Sequence, residues 1–196
     1  MDYLQHLTER YPTLLPCSND ILAVYNILES CFSAGNKLLL CGNGGSASDA
    51  SHITGELMKS FVKKRIPPNG YLEGLMGALP AINLCEMLSL NTAILNDNVQ
   101  GAELVYAQGV YALGKKDDVL FAISTSGNSP NVCNAAITAK KKGVKTVALT
   151  GSTGGKLATL CDAAIIVPET ETYKVQELHL PVYHALCLQL EEFFFE

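Results

Sequence analysis

The chain has 196 residues, of which 48% are apolar and 17% carry a full charge, against roughly a quarter charged in an ordinary soluble domain. Fourteen Lys and Arg against nineteen Asp and Glu leave a net charge of −5, which argues against a nucleic-acid surface. No apolar run approaches the roughly 18 residues of a membrane span, and the polar start MDYLQHLTERYP lacks a secretory pattern, so a soluble cytoplasmic protein with charge-poor surface to bury in an oligomer is expected.

In chain order, an N-terminal helical segment comes first, with a helix over Asp20–Ala34 and Ser18 or Asn19 as its N-cap. A short apolar strand, Lys37–Cys41, follows, and after it the loop GNGGSASDA opens a helix over Ser46–Phe61. Residues 62–95 read as an inserted region forming a helical flap, and a helix over Gly101–Leu113 leads to a second strand, Val119–Ser124. The loop STSGNSP then opens a helix over Asn131–Lys142, strands follow at Lys145–Leu149 and Ala163–Val167, and a helix over about Glu171–Phe195 ends the chain. Strands apolar on both faces and separated by helices imply an α/β fold: one domain over residues 1–196, an αβα sandwich around a mostly parallel sheet. The seven cysteines are scattered and never paired as CxxC, so they read as core residues in a reducing compartment.

In parallel sheets, ligands bind beyond the carboxyl ends of the strands, where the two loops stand. Glycines admit close backbone approach, the first N–H groups of a helix attract anions, and hydroxyls add neutral donors. Gly42–Ser46 lacks the third glycine of a dinucleotide loop and the lysine of a P-loop, and by itself it is equally an ordinary tight turn. Ser124, Thr125, Ser126 and Ser129 exceed what helix capping needs and point to an anion site. On the helix between, His52 and Glu56 are four residues apart, on one face and within reach of a common ion, although such a pair is often a simple surface contact. On the last helix, at about 100° per residue, Glu177 projects within about 20° of His184, whereas Gln176 is about 80° away, so spacing favours Glu177. Pro181 lies between and is expected to kink that helix.

The GNGGS and STSGNS loops, each after a buried strand, with Asn96–Asp97, the Gly-rich Thr150–Lys156 and Val175–His184, resemble the sugar isomerase (SIS) domain, and within it the phosphoheptose isomerases, over most of the chain. The resemblance implies a flavodoxin-like SIS fold and aldose–ketose isomerisation of a phosphorylated sugar, with sedoheptulose 7-phosphate or a close relative as substrate. It implies one zinc ion per subunit on His52, Glu56, Gln176 and His184, choosing Gln176 over Glu177, and acid–base roles for Glu56 and His184. Phosphate would lie on Ser124, Thr125, Ser126 and Ser129, and sugar contacts would come from Asn43, Gly44, Gly45, Ser46, Glu56, Asn96, Asp97 and Gln176. A homotetramer with sites formed by neighbouring subunits is also implied. Without the resemblance, Asn96–Asp97 reads as a helix-to-helix turn, and His179 as a packing residue.

Three departures separate the chain from that pattern: Ser60 where the family has Arg, Tyr173 where it has Asp, and the longer 62–95 region. Two further readings therefore stand beside the first, an isomerase of another ketose phosphate and a non-catalytic SIS domain that binds a phosphosugar or a partner. Retention of the whole metal-site set favours an enzyme.

Overall fold

The computed structural model describes residues 2–68, 70–151 and 153–195. Five strands form one parallel sheet: β1 (Leu38–Cys41), β2 (Ala81–Asn83), β3 (Val119–Ser124), β4 (Lys145–Thr150) and β5 (Ala163–Ile166), in the order β2-β1-β3-β4-β5. Register runs Leu38 opposite Val119 and Leu40 opposite Phe121 across the β1/β3 pair. The four strands read from the sequence are all present; β2 is an addition.

Side chains alternate across the sheet, as strand geometry requires. Leu38, Leu40, Phe121 and Ile123 join a core with α2 (Ser18–Ser33), α3 (Gly45–Met58) and α8 (Thr172–Phe194), and α1 (Tyr3–Arg10) contributes Leu7. Leu39, Cys41, Leu120 and Ala122 join the opposite core with α5 (Gly101–Leu113), α6 (Pro130–Lys141) and α7 (Gly155–Leu160). All seven cysteines are free, and five are buried.

Several expectations change. The 62–95 region is not a helical flap: it contributes β2, pairing Leu38 with Ala81 and Leu40 with Asn83, and then enters α4 (Leu88–Asp97). A strand of three residues after Pro80 is too short to show alternation. Helix α2 starts at Ser18 itself, and its N-cap, Cys17, makes no side-chain cap bond; Ser18 Oγ instead donates to the Leu15 carbonyl at 2.6 Å. Helix α8 runs without a break through the buried Pro181, because its inner face, including Val175, Val182, Leu186 and Leu190, is held in the core along its length.

His179 lies on that inner face, fully buried, with no hydrogen-bond partner at either ring nitrogen, in keeping with the packing role. Burial lowers its pKa from 6.5 to about 4, and the nearby Thr150 backbone offsets this only in part. Below pH 6.5 the unfolded chain gains a proton that the folded chain refuses until about pH 4, so stability is lost as pH falls through that window. The loss by pH 5 is about 2 kcal/mol. His179→Phe should therefore shrink the drop in Tm between pH 7 and pH 5 by about 4–8 °C, measured by thermal melts at the two pH values.

Candidate active site

The strand order reverses between β1 and β3, with β2 on one side and β4 on the other, which places the two expected loops side by side at the carboxyl end of the sheet. Asn43 of the first loop and Asn131 of α6 exchange two amide hydrogen bonds of 2.9 Å, and Tyr106 Oη donates to the Gly42 carbonyl at 2.5 Å. Gly44 and Gly45 open α3 at the crevice, whereas Ser46 is buried, 3% exposed, within the first turn.

In the second loop, Ser124 and Ser129 share a 3.0 Å hydroxyl hydrogen bond. Ser126 Oγ accepts from the Asn128 N–H at 3.1 Å, and the Thr125 carbonyl accepts from Gly151 N at 2.9 Å. The loop therefore rests on the Gly-rich turn after β4, of which Ser152 lies outside the described residues. Pro130 stands at the first position of α6, so this hydroxyl loop sits on a helix N-terminus, where the dipole favours an anion.

Helix α3 carries the reactive groups because Ala50, Ile53 and Leu57 fix its inner face in the core, leaving His52 and Glu56 on the flank toward α8. His52 Nε2 is 3.3 Å from Glu56 Oε1 and 3.3 Å from His184 Nε2. His52 Nδ1 meets Tyr183 Oη at 3.0 Å, and Tyr183 Oη donates to Asp49 Oδ1 at 3.3 Å. With Nδ1–H donating to Tyr183, the Nε2 lone pair of His52 faces Glu56 and His184; the hydrogen-bond chain assigns this tautomer. Asp49 Oδ2 is buried without a partner, and burial raises the Asp49 pKa against the opposing pull of Tyr183 and His52. Burial, then the neighbouring His52, lowers the pKa of His184, and Glu56 pulls the other way. Lys59 Nζ lies 3.0 Å from Glu56 Oε2, leaving Oε1 turned to His52.

Between Glu177 and Gln176 the structure makes a choice that spacing did not. Gln176 packs over the first loop, where a Cβ on Gly45 would come within 2.9 Å of its Cδ, while Glu177 is exposed. Gln176 does not stand beside the histidines, however: Gly45 precedes His52 by seven residues, about 10 Å along α3. Asn96 and Asp97 are exposed at the end of α4, and Asn96 Nδ2 donates to Asp97 Oδ1 at 2.8 Å; no hydrogen bond among the described residues joins them to either loop. Ser60 Oγ accepts from Arg65 N at 3.0 Å, and Tyr173 is exposed at the start of α8. Sequence reasoning missed Tyr183, Asp49, Tyr106 and Asn131; the first two lie within Val175–His184 and GNGGSASDA, but nothing in those stretches marks them as supports of the site residues.

Donors of a tetrahedral zinc at about 2.0–2.1 Å lie about 3.3 Å apart, which matches both distances from His52. The bond from His52 Nδ1 to Tyr183 is the outer support that a ligating imidazole uses. His52, Glu56 and His184 are thus zinc-ligand types, with His52 at ligand spacing from each of the other two, while among the described residues no three His, Cys, Asp or Glu side chains form a group that could hold an ion as it stands. Gly45→Ala should push the Gln176 amide aside without unfolding α3, since the helix tolerates alanine and the obstruction is a flexible side-chain end. A fall in kcat/KM of about 10–100-fold with nearly unchanged Tm is expected from parallel kinetics and melts.

The SIS domain family model matches residues 2–151. A phosphoheptose isomerase from Nitratiruptor is 48% identical over 158 residues, 81% of this chain and 78% of that protein. One from Rhodospirillum rubrum is 38% identical over 97% of this chain and 94% of its own length. The solved structure of the phosphoheptose isomerase from Neisseria gonorrhoeae superposes with a TM-score of 0.76 at 33% identity, covering 95% of this chain and 91% of that one.

Proposed function

The chain belongs to the phosphoheptose isomerases of the SIS-domain family, and from that premise we propose that it interconverts a ketose phosphate and its aldose, with sedoheptulose 7-phosphate as substrate. The observation that carries the reading is the meeting of Glu56 and His184 on His52, on the helix that starts at the same switch point of the sheet as the hydroxyl loop.

Isomerisation removes a proton from carbon 1 of the ketose and returns one to carbon 2 through an enediol, while a hydroxyl proton moves from O1 to O2. Glu56 takes and returns the carbon-bound proton. His184, whose neutral form is favoured by its surroundings, exchanges the proton of the sugar oxygens. Ser124, Thr125, Ser126 and Ser129, with the N-terminus of α6, hold the phosphate without needing Lys or Arg. Asn43, Gly44, Gly45 and Gln176 contact sugar hydroxyls from the first loop. His52, Glu56 and His184 would hold zinc, with Gln176, set on Gly45, left to the sugar contacts; when bound, the ion would supply Lewis-acid polarisation of the sugar oxygens. A cytoplasmic homotetramer with sites formed by neighbouring subunits is proposed as the working form, with Asn96 and Asp97 contacting the sugar there. No helix among the described residues is long and apolar enough to cross a membrane.

The test is a panel of pentulose, hexulose and heptulose phosphates assayed with zinc added and with a chelator. Sedoheptulose 7-phosphate should be the preferred substrate, and chelation should lower turnover about 10²-fold or more, restored by zinc. Turnover of another ketose phosphate in preference would assign the changes at Ser60 and Tyr173 to substrate choice. No turnover on any member would refute the enzyme and favour a binding domain.

A further inference from the structure

Arg65 is 2% exposed and Glu191 1% exposed, and they form an ion pair of 2.7 Å in the interior. Removing two charges from water costs several kcal/mol per ion, so such a pair is poor evidence of stability and calls for another reason. Its hydrogen bonds suggest one. Arg65 Nη1 donates to the Leu57 carbonyl at 2.7 Å and Nη2 to the Glu56 carbonyl at 2.9 Å, while Nε donates to Glu191 Oε1. The two carbonyls belong to the last turn of α3, where backbone acceptors lack helical partners and the dipole favours a cation. One of them is the carbonyl of Glu56 itself.

Glu191 holds the other end. Its carboxylate accepts from the backbone N–H groups of Phe61, Val62 and Lys63 at 2.8, 2.9 and 3.0 Å. Burial alone would raise its pKa, but these three N–H groups and Arg65 outweigh that and hold it below the usual carboxylate range. Glu191 lies seven residues beyond His184, two turns along α8 and on nearly the same side of it. Phe195 closes over the guanidinium with its ring centroid 4.8 Å from Cζ. The planar fork of Arg65 thus joins the end of the helix that carries Glu56 to the helix that carries His184.

We propose that the Arg65–Glu191 pair is a positioning device for the proposed isomerase, fixing the spacing of Glu56 and His184 without touching substrate. This rests on the assignment of Glu56 and His184 as the acid–base pair. A lysine at position 65 retains the buried cation but cannot span two carbonyls and a carboxylate together. Glutamine at position 191 retains acceptor and shape but not the charge.

The experiment compares Arg65→Lys and Glu191→Gln with the wild type at equal distance below each Tm, reading kcat, KM and the imidazole 15N shifts of His52 and His184. At least one folded variant should lose about 10²-fold in kcat, with KM within about twofold because the phosphate loop on β3 is separate, and with moved imidazole shifts. Unchanged kcat per folded molecule, or a loss carried only by KM, would overturn the proposal. If the wild type turns over no ketose phosphate, the functional reading fails by itself. The imidazole shifts then decide the positioning claim, and shifts unchanged in both variants refute it.

Discussion

Glu56→Gln should lose about 10³-fold in kcat while remaining folded. The substitution keeps the length and shape of the side chain and removes only its capacity to take a proton, so the loss falls within the 10²–10⁴ range of general-base catalysis, or about 4 kcal/mol of barrier. Lys59, which pairs with Glu56, has a side chain 54% exposed, and its lost ion pair is worth under about 1 kcal/mol. The phosphate loop stands on β3 and α6 rather than on the turn of α3 that carries Glu56, so KM should move little. Steady-state kinetics with thermal melts check all three points. Activity near wild type would remove Glu56 from the acid–base role.

Gly127→Ala should strongly destabilise the fold. Gly127 has φ of +64°, a conformation that costs an alanine about 1–2 kcal/mol, and its added Cβ would stand 2.6 Å from the Gly154 carbonyl carbon and 2.9 Å from Gly155 N. Those atoms are backbone and have no rotamer to change. Overpacking of that kind costs a further 1–3 kcal/mol or so. A total of about 3 kcal/mol corresponds to a fall in Tm of about 6–12 °C for a chain of this size. Because Gly127 links the hydroxyl loop to the turn after β4, its displacement should also raise KM for a phosphorylated substrate. The Gly45 and Gly127 variants thus separate two roles of glycine, one admitting a neighbouring side chain and one admitting a neighbouring backbone.

The frame was legible because parallel strands buried on both faces read as short apolar runs, and Leu38–Cys41, Val119–Ser124, Lys145–Thr150 and Ala163–Ile166 all lie where such runs fall. Ala81–Asn83 escaped because three residues carry no period. The i, i+4 spacing of His52 and Glu56 also survived folding, since both stand on one turn of α3. Spacing within a helix did not identify the C-terminal partner, because which flank of α8 meets α3 depends on packing with the sheet; Gln176 settles onto Gly45 while Glu177 faces outward. Tyr183 and Asp49 were invisible for the same reason: they are more than 130 residues apart and meet only across the α3/α8 contact. Arg65 and Glu191, 126 residues apart, carry no sequence signal of burial, yet they are among the most buried charged groups in the molecule.

The scarcity of charge also bears on the site. A chain with a net charge of −5 binds a phosphorylated sugar poorly through its overall field. The proposed phosphate site instead relies on local donors, the hydroxyls of Ser124 to Ser129 and the start of α6, whose effect does not require net positive charge.

The most direct measurement follows sedoheptulose 7-phosphate with the zinc-supplemented wild-type protein in deuterated water by NMR. The proposed chemistry predicts an aldoheptose 7-phosphate, with deuterium at carbon 2 wherever the proton carried by Glu56, whose side chain is 12% exposed, exchanges with solvent before its return. No aldose product from sedoheptulose 7-phosphate would contradict isomerisation through an enediol at this site.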